Sequence, residues 1–368
     1  MEQDIFQRAL GAVLVLGAVL GLGVSCHPVG AASPRPRPRP PRPSASDLLT
    51  LVPEGAHVLV RVDLVRMRRF WRERPWSKHI KGDGVGHRLH AALGSDLLQH
   101  AEVLVMALWL DDVAGVGRIL LLARGPHTEG LGLASRARRA LSGRPPGRRP
   151  PRRAPRGKSL HWNSYREVAI TEGKGASTAL LTPFTVASGP SATVRQSVDL
   201  LRGMEGLSSA REDRELMALW RLVAGESAGR APLVAAVMRL PAGLRDRVKK
   251  RLDLPAQMHR VGVRLSGGRW LTLRAFVDVA GRRRGRATVL ALHRWVQRLV
   301  ATRIGQRLRL SQLLAPLSVH HEGGRVHVQW VLPTRLLDRY GRILAPVLRL
   351  LGGDSPPAGK PNPPRPRK

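Results

Sequence analysis

Apolar and polar positions along this chain recur with two periods, and the switches between them mark its elements. After the Pro53-Glu-Gly55 break, the run His57–Asp63 predicts a strand, followed by a basic helical stretch reaching Pro75. The apolar runs Glu102–Leu110 and Gly117–Ala123, separated by Asp111-Asp112 and Gly115, predict a hairpin. A short helix over Leu131–Leu141 precedes a Pro/Arg loop. Strands at Ser159–Tyr165, Glu167–Thr171, Thr178–Leu181 and Phe184–Ala187 then lead to a helix over Ala192–Arg202, with Ser191 as N-cap and Gly203 as its stop.

A second series opens after Pro232: a strand Leu233–Leu240, a helix Leu244–Arg251, and a hairpin Met258–Leu265/Arg269–Val279 turning at Ser266-Gly267-Gly268. A long helix follows over Ala287–Arg303, with Val289, Leu292, Val296, Leu299 and Val300 on one face. A last hairpin, Leu317–Glu322/Arg325–Leu332, turns at Gly323-Gly324, and a final helix, Arg335–Leu350, is broken at Pro346. Strand, helix, hairpin, helix, hairpin thus recurs in both halves. The expected fold class is α+β, with two tandem units, a candidate duplication, of antiparallel sheet and helices packed on one face. The expected organisation is a signal peptide or anchor over 1–25, a Pro/Arg-rich linker over 26–46, and a first unit over 47–205 containing the basic loop 143–158. A second unit covers 206–351, and a Pro-rich basic tail covers 352–368.

The first segment carries the clearest address. An apolar run from Ala9 to Val24 ends in Ser25-Cys26, and Cys26 is the chain's single cysteine. This resembles the lipobox of bacterial lipoproteins, in which small residues precede a cysteine that receives lipid; Gly23 stands where that family usually has Leu. The resemblance implies cleavage before Cys26, lipidation of its thiol and export to the cell envelope, in the periplasm or at the outer membrane. Two alternatives stand beside it. Val29-Gly30-Ala31-Ala32 offers small residues for ordinary signal-peptide cleavage. An uncut anchor, with Arg35, Arg37, Arg39 and Arg42 on its inner flank, would leave a cytoplasmic body at the inner membrane. All three associate the precursor with a membrane. With one cysteine, no intrachain disulfide forms. The body, over roughly residues 50–350, resembles uncharacterised exported lipoproteins of GC-rich bacteria, a likeness that assigns no residue a role.

Between address and body, Pro34–Pro43 alternates Pro with Arg, a pattern that extends as polyproline II at about 3.1 Å per residue. Ser33–Ser44 would therefore stand the body off a surface by at most roughly 35 Å. Its arginines are drawn to anionic headgroups by about 1 kcal/mol each.

The formal net charge is +36, of which the linker, the loop 144–158 and the tail together carry +14. The cation is nearly always Arg, and with abundant Ala, Gly, Pro and Leu this is the signature of GC-rich coding, which loads a surface with Arg unselected. The competing reading is a polyanion-binding surface for lipopolysaccharide, acidic lipid or nucleic acid. Aromatic residues make up only 4% and do not interleave with the basic runs, which argues against single-strand stacking platforms.

Candidate chemistry is sparse. Gly225-Glu226-Ser227-Ala228-Gly229 fits G-x-S-x-G and resembles the elbow of carboxylesterases, which requires a strand before the serine and a helix after it. Here the context is inverted: Leu216, Leu219, Trp220 and Val223 have helical spacing before it, and Pro232 with an apolar strand follows. His320, His321, Glu322 and His327 form the one dense ligand-like group. A two-residue turn would set His320 opposite His327, Glu322 opposite Arg325 and Ser318 opposite Gln329, with Leu317, Val319, Val326, Val328 and Trp330 on the other face. Two imidazoles leave a zinc site short of ligands, so a solvated polar face is expected. No phosphate loop, HExxH or EF-hand motif occurs. The outer face of the Ala287–Arg303 helix, with Arg294, Gln297 and Arg298, is a candidate to lie on lipid. The combined expectation is a membrane-tethered envelope protein with a non-enzymatic binding or structural body, no cofactor, and an envelope protein or polyanion as partner.

Overall fold

The computed structural model describes residues 45–72, 101–111, 115–125, 162–172, 176–225, 231–252, 257–279, 281–303, 306 and 309–335. Cys26, the linker, Ser227, the Leu131–Leu141 and Arg335–Leu350 helices, the basic loop and the tail all belong, wholly or nearly so, outside them. The described residues build one antiparallel sheet from β1 (Val58–Asp63), β2 (Val103–Asp111), β3 (Gly115–Arg124), β4 (Trp162–Tyr165), β5 (Val168–Glu172), β6 (Ser177–Thr182), β7 (Thr185–Gly189), β8 (Val234–Arg239), β9 (Met258–Ser266), β10 (Trp270–Val279), β11 (Leu317–Glu322) and β12 (Arg325–Pro333). Its order is β11-β12-β10-β9-β8-β1-β2-β3-β7-β6-β5-β4.

The halves meet in the middle, where β1 pairs antiparallel with β8 from Val58↔Met238 to Val62↔Val234. Outward from that seam the first five strands on each side follow the same order, and β5 and β4 extend the first half beyond it. A unit's first strand is followed by its hairpin, then by the unit's last strand, then by the strand before it. Backbone donors at the seam are thus satisfied by the other half, and the two units share one sheet.

Among the described residues six α-helices accompany it: α1 (Leu64–Arg72), α2 (Ser191–Leu201), α3 (Arg214–Ala224), α4 (Ala242–Leu252), α5 (Arg282–Ala301) and α6 (Leu310–Leu314). The α+β class with antiparallel pairing is as expected, but helices cover both faces instead of one. The reason lies in the central strands, which are apolar on both sides. Val58, Val60, Val62, Leu104 and Met106 face a core closed by α1, α4 and α5. Leu59, Val105, Ala107, Leu120 and Leu122 face a second core closed by the 3-10 segment Ala45–Leu51, α2 and α3. Leaving either set in water would forgo about 1.5–3 kcal/mol per large side chain.

The strand and hairpin expectations agree with the structure to within a few residues. Ser191, however, is the first residue of α2 and not its cap. Pro190 holds the N-cap position, and the Ser191 hydroxyl shares a 2.6 Å hydrogen bond with the Ser177 hydroxyl. A genuine side-chain cap occurs on α3, where Asp213 accepts from Leu216 N–H at 2.9 Å and also from Arg239 at 3.1 Å. No helix among the described residues is long and apolar enough to cross a membrane.

Candidate functional site: the polar face of β9–β12

Strands β9, β10, β12 and β11 largely alternate, with a register irregularity between Asp278 and Val279. Their odd-even pattern sends Val261, Val263, Leu271, Leu273, Val277, Val326 and Val328 toward the core under α5. The opposite face carries polar residues, and the strand register arranges them in three rows across four strands.

The first row is ionic. Arg260 pairs with Asp278, Asp278 with Arg325, and Arg325 with Glu322 along the register, so charge alternates from strand to strand. Asp278 is its hub, accepting from Arg325 Nε at 2.6 Å and lying 3.1 Å from Arg260 Nε. Arg260 also reaches Glu215 on α3 at 3.4 Å. The second row is Gly262, Phe276, His327 and His320. Gly262 is small because α3 lies directly on it; a Cβ there would meet Val223 Cγ1 at 2.8 Å and Leu219 Cδ1 at 3.0 Å. Phe276 meets His327 edge-on, with centroids 5.4 Å apart, and His327 stacks on His320 at 4.9 Å and 13°. The third row is Arg264, Arg274, Gln329 and Ser318. Arg264 is buried, donates to Gly225 O and to Ser266 Oγ, and burial together with Arg274 lowers its pKa.

The hairpin turn that fixes this register is formed by Gly323-Gly324, where Gly323 sits at φ +60°, a conformation costly for side-chain-bearing residues. All three cross-strand pairs expected from the sequence, His320↔His327, Glu322↔Arg325 and Ser318↔Gln329, are present. Between this turn and Leu222 of α3 opens a cleft of about 770 Å³, lined also by Glu322, Arg325 and His327.

Near-parallel stacking turns the two imidazole faces, not their nitrogen lone pairs, toward each other, which is poor chelating geometry. Among the described residues no group of three or more His, Cys, Asp or Glu is placed to hold a metal ion. Burial and the neighbouring His320 push the His327 pKa below the ordinary histidine value, which keeps its ring neutral at pH 7. A flat imidazole pair beside a phenyl edge, flanked by ion-paired and basic rows, suits a planar or carboxylate-bearing surface group.

Sequence reasoning found the histidines but not Phe276, Asp278, Arg260 or Arg274. These belong to another hairpin, and only the β10–β12 pairing brings them alongside. The Gly225-Glu226-Ser227-Ala228-Gly229 string does run from a helix to a strand: α3 ends at Ala224 and β8 begins at Val234, while Ser227 lies outside the described residues.

No family model matches the chain, and no curated protein matches it. Among solved structures the chain is similar to TP0453 in its crystal form III, with a TM-score of 0.42 and 11% identity over 81% of this chain and 97% of that one. It is likewise similar to crystal form I of TP0453, with a TM-score of 0.40 and 9% identity over 81% of this chain and 96% of that one.

Proposed function

We propose that this is a membrane-tethered cell-envelope protein whose body is a non-enzymatic binding domain. The observation that carries the tether is the placement of the single cysteine, Cys26, at the end of the apolar run Ala9–Val24, ahead of a Pro/Arg spacer. The β9–β12 polar face supports the second half of the reading. It is a pre-ordered surface whose Arg260–Asp278–Arg325 row is ion-paired within the protein, an arrangement suited to recognition with little ordering cost. In this mechanism lipid at Cys26 holds the chain at the membrane, the spacer sets the reach, and the polar face meets an envelope partner.

The test is the intact mass of the mature amino terminus after full-length expression in a GC-rich bacterial host. A diacylated or triacylated Cys26 is the expected result. An intact Met1 would overturn the lipoprotein reading in favour of an uncut anchor with a cytoplasmic body.

A further inference from the structure

Among the described helices, charge is divided unequally between the two faces of the sheet. The helices α1, α4 and α5 lie side by side on one face, over β1–β2, β9 and β10–β12 respectively, and share one core. Together they carry fifteen Arg and Lys against a single acid, Asp246. The helical segments on the other face, Ala45–Leu51, α2, Ala210–Glu212 and α3, carry four basic and four acidic residues. The opposite face also bears the strand arginines Arg260, Arg264, Arg274 and Arg325, but Asp278 and Glu322 stand among them, whereas the α1, α4 and α5 cations have one acid between them.

Two further features define what that side meets. Leu290 and Trp295 of α5 and Val65 of α1 are 54%, 42% and 43% exposed, standing among the cations. The helix is not loosely attached, because Thr288 and Ala291 on its inner side are buried against the sheet. Exposed apolar side chains between cations gain from an interface that offers anionic headgroups and hydrocarbon together. Trp295, apolar with one N–H, fits the headgroup level. Nucleic acid would match the charge but leave Leu290 and Val65 without a partner.

We infer that the α1–α4–α5 layer is a docking surface for an anionic lipid bilayer, on which the body lies with its β9–β12 polar face turned away. Membrane proximity comes from the tether reading, but the surface acts through the body's own residues. Arg283, Arg286 and Arg294 are all exposed on α5 and supply part of the attraction.

The experiment uses the full chain with Cys26→Ser, which removes the one thiol and any lipid. Leu290→Cys or Leu222→Cys then accepts a polarity-sensitive fluorophore on one face or the other. The probe at 290 is expected to shift to the blue, and to be quenched by nitroxide-bearing lipid, on phosphatidylglycerol-containing vesicles but not on pure phosphatidylcholine. The probe at 222 should stay unchanged. Arg283→Gln, Arg286→Gln and Arg294→Gln together should weaken binding to the anionic vesicles roughly hundredfold, with an unchanged circular dichroism spectrum. A silent probe at 290 on anionic vesicles, or a response at 222 instead, overturns the inference even where mass spectrometry finds lipid on Cys26. Displacement of the vesicles by duplex DNA that itself protects position 290 would overturn it in favour of a nucleic-acid surface.

Discussion

Replacing Gly262 by alanine tests how α3 is seated on the sheet, and with it one wall of the cleft beside the polar face. The added Cβ would sit 2.8 Å from Val223 Cγ1, 3.0 Å from Leu219 Cδ1 and 3.2 Å from Leu219 Cγ. Val223 and Leu219 are 0% and 2% exposed, so neither has open space into which to retreat. Overpacking of this kind costs about 1–3 kcal/mol, offset by roughly 0.5–1 kcal/mol from removing a flexible glycine from a strand. The net expectation is a loss of about 1–2 kcal/mol. Val223→Ala alone removes two buried methyl groups and leaves a cavity, for a loss of about 2 kcal/mol. In the double variant the new methyl occupies space that Val223 vacates, so the two losses should fall short of their sum by about 1 kcal/mol. Leu219 stays in contact and prevents full rescue. Urea unfolding of the Cys26→Ser chain, analysed as a double-mutant cycle at constant m, measures this. Additivity within about 0.5 kcal/mol, or a raised midpoint for Gly262→Ala, would refute the close approach of α3 to β9.

Four further outcomes rest on the same geometry. Asp213→Ala removes the α3 cap and the partner of Arg239, and should lower stability by about 1–2 kcal/mol in urea unfolding. The His327 ring should titrate by NMR below the ordinary value of about 6.5, and His320→Ala should move it back toward that value. The sign of the linkage is set by that depression: the unfolded chain takes up the proton first, so His327 lowers stability as pH falls below about 6.5 and contributes nothing above it. His327→Gln should therefore flatten the fall in urea midpoint between neutral and mildly acidic pH. Asp278→Asn leaves Arg260 and Arg325 facing each other across a neutral residue and should destabilise the β9–β10–β12 region, seen as faster amide exchange at its strands.

Local pattern was sufficient for the strands among the described residues, but not for the 3-10 segment Ala45–Leu51 or for α6. The final hairpin is the clearest instance: two glycines at its turn and strict alternation leave a single register, because a slip of one residue would turn Val319, Val326 and Val328 to solvent. The His320–His327 pair was legible for the same reason, as were the helical spacing of Leu216, Leu219, Trp220 and Val223 and its passage into a strand. Composition fixed the total charge and the single cysteine.

What the tertiary structure alone decided are the relations between distant segments. Pairing of β1 with β8 joins two units into one sheet, and no local signal in either strand names the other as partner. That seam makes the central strands two-faced, which is why helices cover both sides. The ionic row depends on β10 lying next to β12, bringing Asp278 within 2.6 Å of Arg325 across 47 residues of sequence. The sidedness of charge follows in the same way. Each basic helix is ordinary read singly, and only the sheet, by assigning α1, α4 and α5 to one face, turns a high net charge into a directed surface.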